Sequence, residues 1–317
     1  GLYYYSESGL EDSPGDFYGK WILQQGAIDN QSYSAFAQGS FKLTPDLTLT
    51  VGGRYTRDDK KMDLRQTVSV GPYTQCMLQV DNGGSLGFLP IDACQVNLTD
   101  SFSKPTGTIS LDYKVSPDVL LYAASRYGYR SGGFNLRASQ PVQYEAFRPE
   151  TVTDFELGTK ADWNIGDVKM RTNLAAFYQK YSDIQRMQSI VGGSGQPTTT
   201  VINAASANVF GIEFEQTIRP TRGLMLRLNY AYTDPSYKKW MDPVTNVDLT
   251  ETPFFFTATH SGSGLVTYEK ELPGDLGFLK FGVNASYMGG AWINAADTIV
   301  SIRNTPPELR KYLRQED

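Results

Sequence analysis

The chain has 317 residues, enough for one large domain, and 20% of them are charged. Its formal net charge of −5 argues against a nucleic-acid partner, because nucleic-acid binding favours a basic surface. No segment reaches the ~20 consecutive apolar residues that a membrane-spanning helix needs. No signal-peptide pattern precedes the strand-like opening at residues 1–4, so we expect the chain to start within a strand.

Segments with period-two alternation of apolar and polar residues predict β-strands along the whole chain. We place about eleven of them, at residues 1–8, 31–43, 47–66, 102–115, 119–134, 150–163, 167–189, 200–219, 224–240, 252–272 and 278–295. Residues 167–188 run without a breaker, far beyond the ~5–6 residues of an average globular strand. Charged residues recur on the polar faces of these strands, which favours a water-filled lumen.

The connections alternate in length. Short turns are expected at residues 44–46, 116–118, 164–167, 220–223 and 273–275, and long connections at 9–30, 67–101, 135–149, 190–199 and 241–251. This alternation is typical of an antiparallel transmembrane β-barrel, with short periplasmic turns and long extracellular loops. A repeat near fifty residues also fits a β-propeller, but propeller blades use four short strands. The polar tail at 306–317 is expected to be a short helix or a loop.

The two cysteines, Cys76 and Cys94, lie in one of the long connections. Two cysteines so close in a predicted extracellular loop indicate a disulfide bond, and two free thiols are the alternative. Closing a loop of this size contributes about 3 kcal/mol in the chain-entropy treatment. We expect the bond to brace the loop.

As a set, several segments resemble the C-terminal barrel of TonB-dependent outer-membrane receptors. They are residues 31–63, 120–135 (LLYAASRYGYRSGGFN), 147–163 (FRPETVTDFELGTKADW), 174–185 (LAAFYQKYSDIQ) and 203–234. The resemblance implies a 22-stranded barrel in the outer membrane of a Gram-negative bacterium, plugged by an N-terminal domain. Residues 1–317 would then form one partial barrel domain that lacks the plug and the C-terminal strands.

The resemblance also implies a function and partners. Such receptors bind a scarce, bulky nutrient at the outside, most often a ferric siderophore. The TonB–ExbB–ExbD complex then drives uptake by moving the plug. The implied partners are outer-membrane lipid, the chain's own plug domain, the energising complex and the nutrient, with no nucleic acid and no cofactor. The alternatives are a passive porin-like channel and a soluble all-β binding module.

Candidate ligand-binding residues lie at the outer ends of strands and in the loop that follows. They are Arg126, Tyr129, Arg130, Asn135, Tyr144 and Arg148. Arginine suits carboxylate, catecholate or phosphate groups, and tyrosine can stack on rings. The alternative is that these residues are girdle aromatics and ordinary lumen charges that pair with Asp154 and Glu156. The residues predicted to face the lumen and the plug are Arg54, Asp112, Asp154, Glu156, Arg171, Glu213, Glu215 and Arg227.

A catalytic function is not expected. His260 is the single histidine, and no complete hydrolase motif surrounds it. The Gly-rich segment 192–197 lacks the Lys-Ser/Thr ending and the following helix of a phosphate-binding loop. With one histidine and two cysteines that we expect to be bonded, a protein-held transition metal is not expected either. The sequence therefore predicts a binding and transport protein with no catalytic or metal site.

Overall fold

The structure is a computed structural model, and it describes residues 1–17, 19–191, 197–241, 246–292 and 314–315. The strands are β1 (Leu2–Phe17), β2 (Lys20–Lys42), β3 (Leu47–Val70), β4 (Tyr73–Cys76), β5 (Gln79–Asp81), β6 (Leu86–Phe88), β7 (Val96–Ser116), β8 (Val119–Arg130), β9 (Glu150–Ile165), β10 (Val168–Val191), β11 (Pro197–Thr221), β12 (Leu224–Trp240), β13 (His260–Glu271), β14 (Phe278–Met288), β15 (Ala291–Trp292) and β16 (Arg314–Gln315). Two short helical segments interrupt them, a 3-10 turn at Ile91–Ala93 and helix α1 at Pro141–Tyr144. No helix in the described ranges is long and apolar enough to cross a membrane.

The long strands form one antiparallel sheet in the order β1-β2-β3-β7-β8-β9-β10-β11-β12-β13-β14. Strand β4 pairs with the outer end of β3, while β5–β6 and β15–β16 form two separate ribbons. The prediction of an all-β antiparallel barrel segment with about eleven strands is confirmed, since eleven strands lie on the continuous path of the sheet.

The predicted connection at 9–30 is wrong, because these residues extend a hairpin of the sheet. Strand β1 continues to Phe17 and β2 begins at Lys20, with an unbroken register along the whole pair. Polar residues occupy both faces of this hairpin, so no apolar alternation marks its strands in the sequence. Ladder hydrogen bonds hold such a segment without an apolar face, and the period-two criterion therefore misses it.

Several other predicted boundaries also need correction. Within the predicted loop 67–101, β3 extends to Val70, β7 begins at Val96, and β4 to β6 lie between them. The predicted loop 190–199 is shorter than expected, because β10 runs to Val191 and β11 begins at Pro197. Strand β8 ends at Arg130, β13 begins at His260 and β14 ends at Met288. Most of the Gly-rich segment, residues 192–196, lies outside the described residues. The same holds for the predicted tail at 306–317, apart from the two residues of β16.

Turns at one end of the sheet are short, as predicted. The β7–β8, β9–β10 and β11–β12 connections are residues 117–118, 166–167 and 222–223. Gly223 has φ 82°, and a Cβ there would stand 2.0 Å from the backbone oxygen of Glu269, so this turn requires glycine. At the other end the strands are long: β10 has 24 residues, against the ~9–11 that span a bilayer. We therefore take the short-turn end as periplasmic and the long-strand end as extracellular.

One face of the sheet is apolar and open. Its exposed large side chains include Val51, Tyr55, Ile109, Leu111, Leu121, Phe155, Leu157, Leu174, Leu228, Val266, Phe281 and Val283. Residues paired across neighbouring strands share a face, and the register joins these positions from strand to strand; Phe155 pairs with Tyr178, and Tyr178 with Phe210. A continuous exposed apolar band of this extent is the lipid-facing surface of a membrane barrel.

Buried apolar residues are concentrated at the extracellular end. We call residues 71–95 the disulfide lobe and residues 131–149 the bridging loop. Cys76 and Cys94 are joined by a disulfide with a Cα–Cα distance of 5.5 Å, and they pack with Leu78. A second cluster joins Met62 and Leu64 of β3 to Ala138 of the bridging loop. Val96 of β7 and Tyr144 of the bridging loop pack against both clusters, so the two extracellular loops form one joint apolar core above the membrane.

Candidate functional site

The face opposite the lipid-facing surface is polar and lines the lumen. Every lumen residue predicted from the sequence lies on it, according to the strand register: Arg54, Asp112, Asp154, Glu156, Arg171, Glu213, Glu215 and Arg227. Arg126 belongs to the same face, because it pairs with Asp154 across β8 and β9. The prediction that this face contacts a plug domain remains a prediction.

Arg126 is the centre of an ion-pair network on this face. Its Nη1 donates to Asp154 Oδ1 at 2.7 Å and to Glu156 Oε2 at 2.8 Å, and its Nη2 donates to the same Glu156 oxygen at 2.8 Å. Tyr122 donates its hydroxyl to the other Glu156 oxygen at 2.6 Å. The Asp154 side chain is only 9% exposed, so Arg126 compensates a largely buried charge. In the structure Arg126 therefore pairs with Asp154 and Glu156, which was the alternative to ligand binding.

Gly158 makes room for this network. Tyr122 lies directly across from Gly158 in the sheet, and a Cβ at Gly158 would stand 2.5 Å from the Tyr122 ring and hydroxyl. The ring therefore lies over the bare backbone of Gly158, an arrangement that stabilises glycine within a sheet. With its ring held there, Tyr122 reaches Glu156.

Near the periplasmic turns the lumen wall forms an open concavity of about 1040 Å³. Arg171 lies in it and forms a two-pronged pair with Asp162, with both nitrogen–oxygen distances at 2.7 Å. Arg219, Arg227 and Glu215 line the same space. A mixed-charge wall of this kind suits a polar protein surface better than a small apolar ligand.

A second concavity, of about 650 Å³, lies higher in the lumen; we call it the upper cavity. It is lined by residues of β2, β3, β7 and β8 and holds Arg54, whose Nε donates to Thr56 Oγ1 at 3.0 Å. The Arg54 guanidinium lies 5.0 Å from the ring centre of Tyr3 and 5.8 Å from that of Phe36. Within the described residues Arg54 makes no ion pair, so its charge is available to an anion.

Tyr129 closes one side of the upper cavity. Strand β8 pairs with β7 only as far as Tyr127, opposite Gly107, and beyond this point β8 separates from β7. Tyr129 then crosses the gap and donates its hydroxyl to Asp58 on β3. Asp58 was not among the residues predicted from the sequence. Because Asp58 and Tyr129 are 71 positions apart in the chain, no local sequence pattern could indicate this pair.

The other predicted ligand residues lie on or beside the bridging loop, and most have structural partners. The Asn135 side chain is buried and pairs with the backbone of Val201. Tyr144 donates to the backbone oxygen of Gln79 at 3.0 Å, and burial raises the pKa of its hydroxyl to about 12. Arg148 forms an exposed ion pair with Asp183 at 2.8 Å. Arg130 is exposed at the end of β8.

Arg186 forms a further cluster that sequence reasoning missed. Its guanidinium lies 5.3 to 6.0 Å from the ring centres of Tyr237, Trp240 and Phe254, and it donates to the Tyr237 hydroxyl. These rings come from β12 and the segment after it, and they pack with Ile184 of β10. Aromatic residues near the end of β12 were visible in the sequence, but nothing in it joined them to Arg186.

Within the described residues, no group of three or more His, Cys, Asp and Glu side chains could hold a metal ion. His260 donates to or accepts from the Tyr230 hydroxyl at 2.8 Å and stacks on the Tyr230 ring. Both residues lie on the lipid-facing surface by register, where aromatic residues form the interfacial girdle. The arrangement of His260 is that of a girdle residue.

An apolar outer face, a charged inner face and a set of long extracellular extensions define the wall of an outer-membrane β-barrel. The family model for the "TonB dependent receptor-like, beta-barrel" domain matches residues 1–312. The chain therefore belongs to the TonB-dependent receptor family, whose members are receptors and transporters of the Gram-negative outer membrane and not enzymes. The predicted family and location are confirmed, and a soluble module is excluded.

Individual relatives agree with this assignment. The chain is 28% identical to the pesticin receptor of Yersinia enterocolitica over 123 residues, which are 39% of this chain and 17% of that protein. The fold resembles the ferric yersiniabactin uptake receptor FyuA of Yersinia pestis, with TM-score 0.69 and 17% identity over 99% of this chain and 41% of that one. It also resembles the siderophore receptor PiuA of Acinetobacter baumannii, with TM-score 0.60 and 16% identity over 85% of this chain and 35% of that one. The chain spans less than half the length of each of these relatives.

Proposed function

We propose that the chain is the barrel wall of a receptor that captures an anionic ferric siderophore at the extracellular side and releases it inward when a plug domain moves. The observation that carries the proposal is the upper cavity, which offers the guanidinium of Arg54 beside the Phe36 ring, with no ion-pair partner among the described residues. Iron-binding carboxylates and catecholates carry negative charge and rings, which arginine and tyrosine recognise. Members of the family are outer-membrane receptors, which is the location that such a function requires.

The plug would seat against the lower lumen wall. Arg171, Arg219, Arg227, Asp162 and Glu215 present both signs of charge there, so a polar plug surface can be matched by hydrogen bonds and ion pairs. A plug held by polar contacts can be displaced by force from TonB without exposing a large apolar surface. The ligand and the plug would then use separate levels of one lumen.

Arg54→Gln is expected to weaken binding of an anionic ferric siderophore by about 10- to 100-fold, the effect of losing one charge-assisted hydrogen bond. Arg57→Gln is the matched control, because Arg57 lies three positions away on the opposite face and pairs with Asp59. Binding should be measured on whole cells that carry the complete receptor, with radioactive iron in catecholate, hydroxamate and carboxylate complexes. If both variants bind all three complexes with equal affinity, Arg54 is not part of the binding site.

Uptake is expected to stop when the energy supply is removed, while binding at the cell surface persists. The measurement compares accumulation of the bound complex in cells with and without TonB, and with a protonophore. A passive porin-like channel, the alternative from the sequence, would show uptake that neither treatment changes. Such a result would contradict the energised mechanism and leave the family assignment intact.

A further inference from the structure

The bridging loop contacts strands that are far apart in the sheet. Its two legs pair with each other at Gly133 and Phe147, which form backbone hydrogen bonds of 3.1 and 2.9 Å. Beyond this neck, the head of the loop (residues 134–146) reaches β3 on one side and β11 on the other. Strands β7, β8, β9 and β10 lie between those two in the sheet. The head therefore crosses the extracellular side of the lumen wall.

The contact with β3 is apolar and buried. Leu64 is 0% exposed and packs with Met62 and with Ala138 of the head. Gln66 of β3 donates its amide to the backbone oxygens of Leu136 and Ala138 at 2.8 and 2.7 Å. The disulfide lobe also contacts the head, because Gln79 donates its backbone N–H to the Ser139 oxygen at 2.8 Å. Parting these surfaces would expose apolar area and leave buried polar groups without partners.

The contact with β11 is polar. Asn135 Nδ2 donates to the Val201 oxygen at 3.3 Å, and the Val201 N–H donates to Asn135 Oδ1 at 2.6 Å. Arg137 donates to Thr199 Oγ1 at 3.3 Å. In the part of the chain that the structure describes, no apolar cluster joins the head to β11. Water can replace hydrogen bonds of this kind at a modest net loss for each bond, whereas it cannot replace the apolar contact with β3.

We propose that the head of the bridging loop is a latch, anchored on β3 and the disulfide lobe and released at Asn135 and Arg137 from β11. The legs of the loop stay joined to β11, because Arg148 and Asn203 exchange hydrogen bonds of 2.6 and 2.8 Å. The head meets β3 at residues 62–66, which lie beyond the upper cavity wall at residues 52–58. The latch thus lies on the extracellular side of the upper cavity, and release from β11 widens access to it.

Two distances measured by pulsed electron paramagnetic resonance test this asymmetry. The complete receptor carries spin labels at cysteines placed on exposed positions, either Val142→Cys with Met187→Cys or Val142→Cys with Val70→Cys. Val142 reports the head, Met187 the β10–β11 side and Val70 the β3 side. The native cysteines are bonded and do not take a label.

Asn135→Ala is expected to raise the fraction of molecules with a lengthened 142–187 distance about 10-fold, since it removes two hydrogen bonds. The 142–70 distance should stay unchanged. Arg137→Gln should shift the same distance by less, and it keeps the test available if Asn135→Ala does not fold. Arg130→Gln, at an exposed site outside the head, should leave both distances as they are. A lengthened 142–70 distance, or no change at 142–187 in either latch variant, would overturn the latch.

Discussion

Leu174→Arg is expected to destabilise the folded barrel by about 2–4 kcal/mol, the range for an arginine on the lipid face near the bilayer midplane. Leu174 is 43% exposed, lies on the apolar face and pairs with Thr159 and Phe214. It stands six residues above the start of β10, which places it about 15 Å from the periplasmic end at a usual strand rise and tilt. The measurement is folding of the complete receptor into lipid vesicles as a function of urea.

Ala175→Arg is the matched control for this substitution. Ala175 is the next residue at the same depth, but it faces the lumen and pairs with Glu213, which can compensate the new charge. We expect a loss below about 1 kcal/mol for this variant. If Ala175→Arg destabilises the barrel as much as Leu174→Arg does, then the faces have been assigned incorrectly.

The membrane part of the fold was predictable because lipid forces a strict pattern on the sequence. Residues such as Leu47, Leu49 and Val51 must alternate with polar ones when one face meets lipid and the other water. The same constraint ends where the membrane ends, which is why the hairpin at residues 9–30 escaped prediction. Polar residues occupy both of its faces, with only isolated apolar positions such as Ile22 buried, and no two-fold pattern is required of them.

The candidate site was only partly predictable, because its contacts join residues far apart in the chain. The sequence placed Asp154 and Glu156 on the lumen face and offered their pairing with Arg126 as the alternative to ligand binding, and the strand register brings Arg126 opposite Asp154. It could not show that Asn135 pairs with Val201 or that Tyr129 reaches Asp58, since these contacts depend on how loops fold back over the sheet. Arg54 was placed in the lumen, but not in a cavity where no described residue forms an ion pair with it.

The joint core of the two extracellular loops depends on Leu64, which is 0% exposed. Leu64→Ala is expected to destabilise the disulfide lobe and the bridging loop by about 2–5 kcal/mol, through lost apolar burial and the cavity that remains. Limited proteolysis of intact cells measures this, because both loops are accessible from outside and become cleavable when their core opens. The strands within the membrane should stay protected.

Leu86→Ala is the control, since Leu86 lies in the same disulfide lobe but is 53% exposed, and its loss should leave proteolysis unchanged. Reducing the Cys76–Cys94 bond gives a second comparison, with an expected contribution of about 3 kcal/mol for a separation of 18 residues. The two losses act on one small core, so they should not add independently. If reduction opens both loops while Leu64→Ala leaves them resistant, the covalent bond holds the anchor and the apolar core is secondary. If each change alone opens both loops, the anchor of the bridging loop requires the bond and the core together.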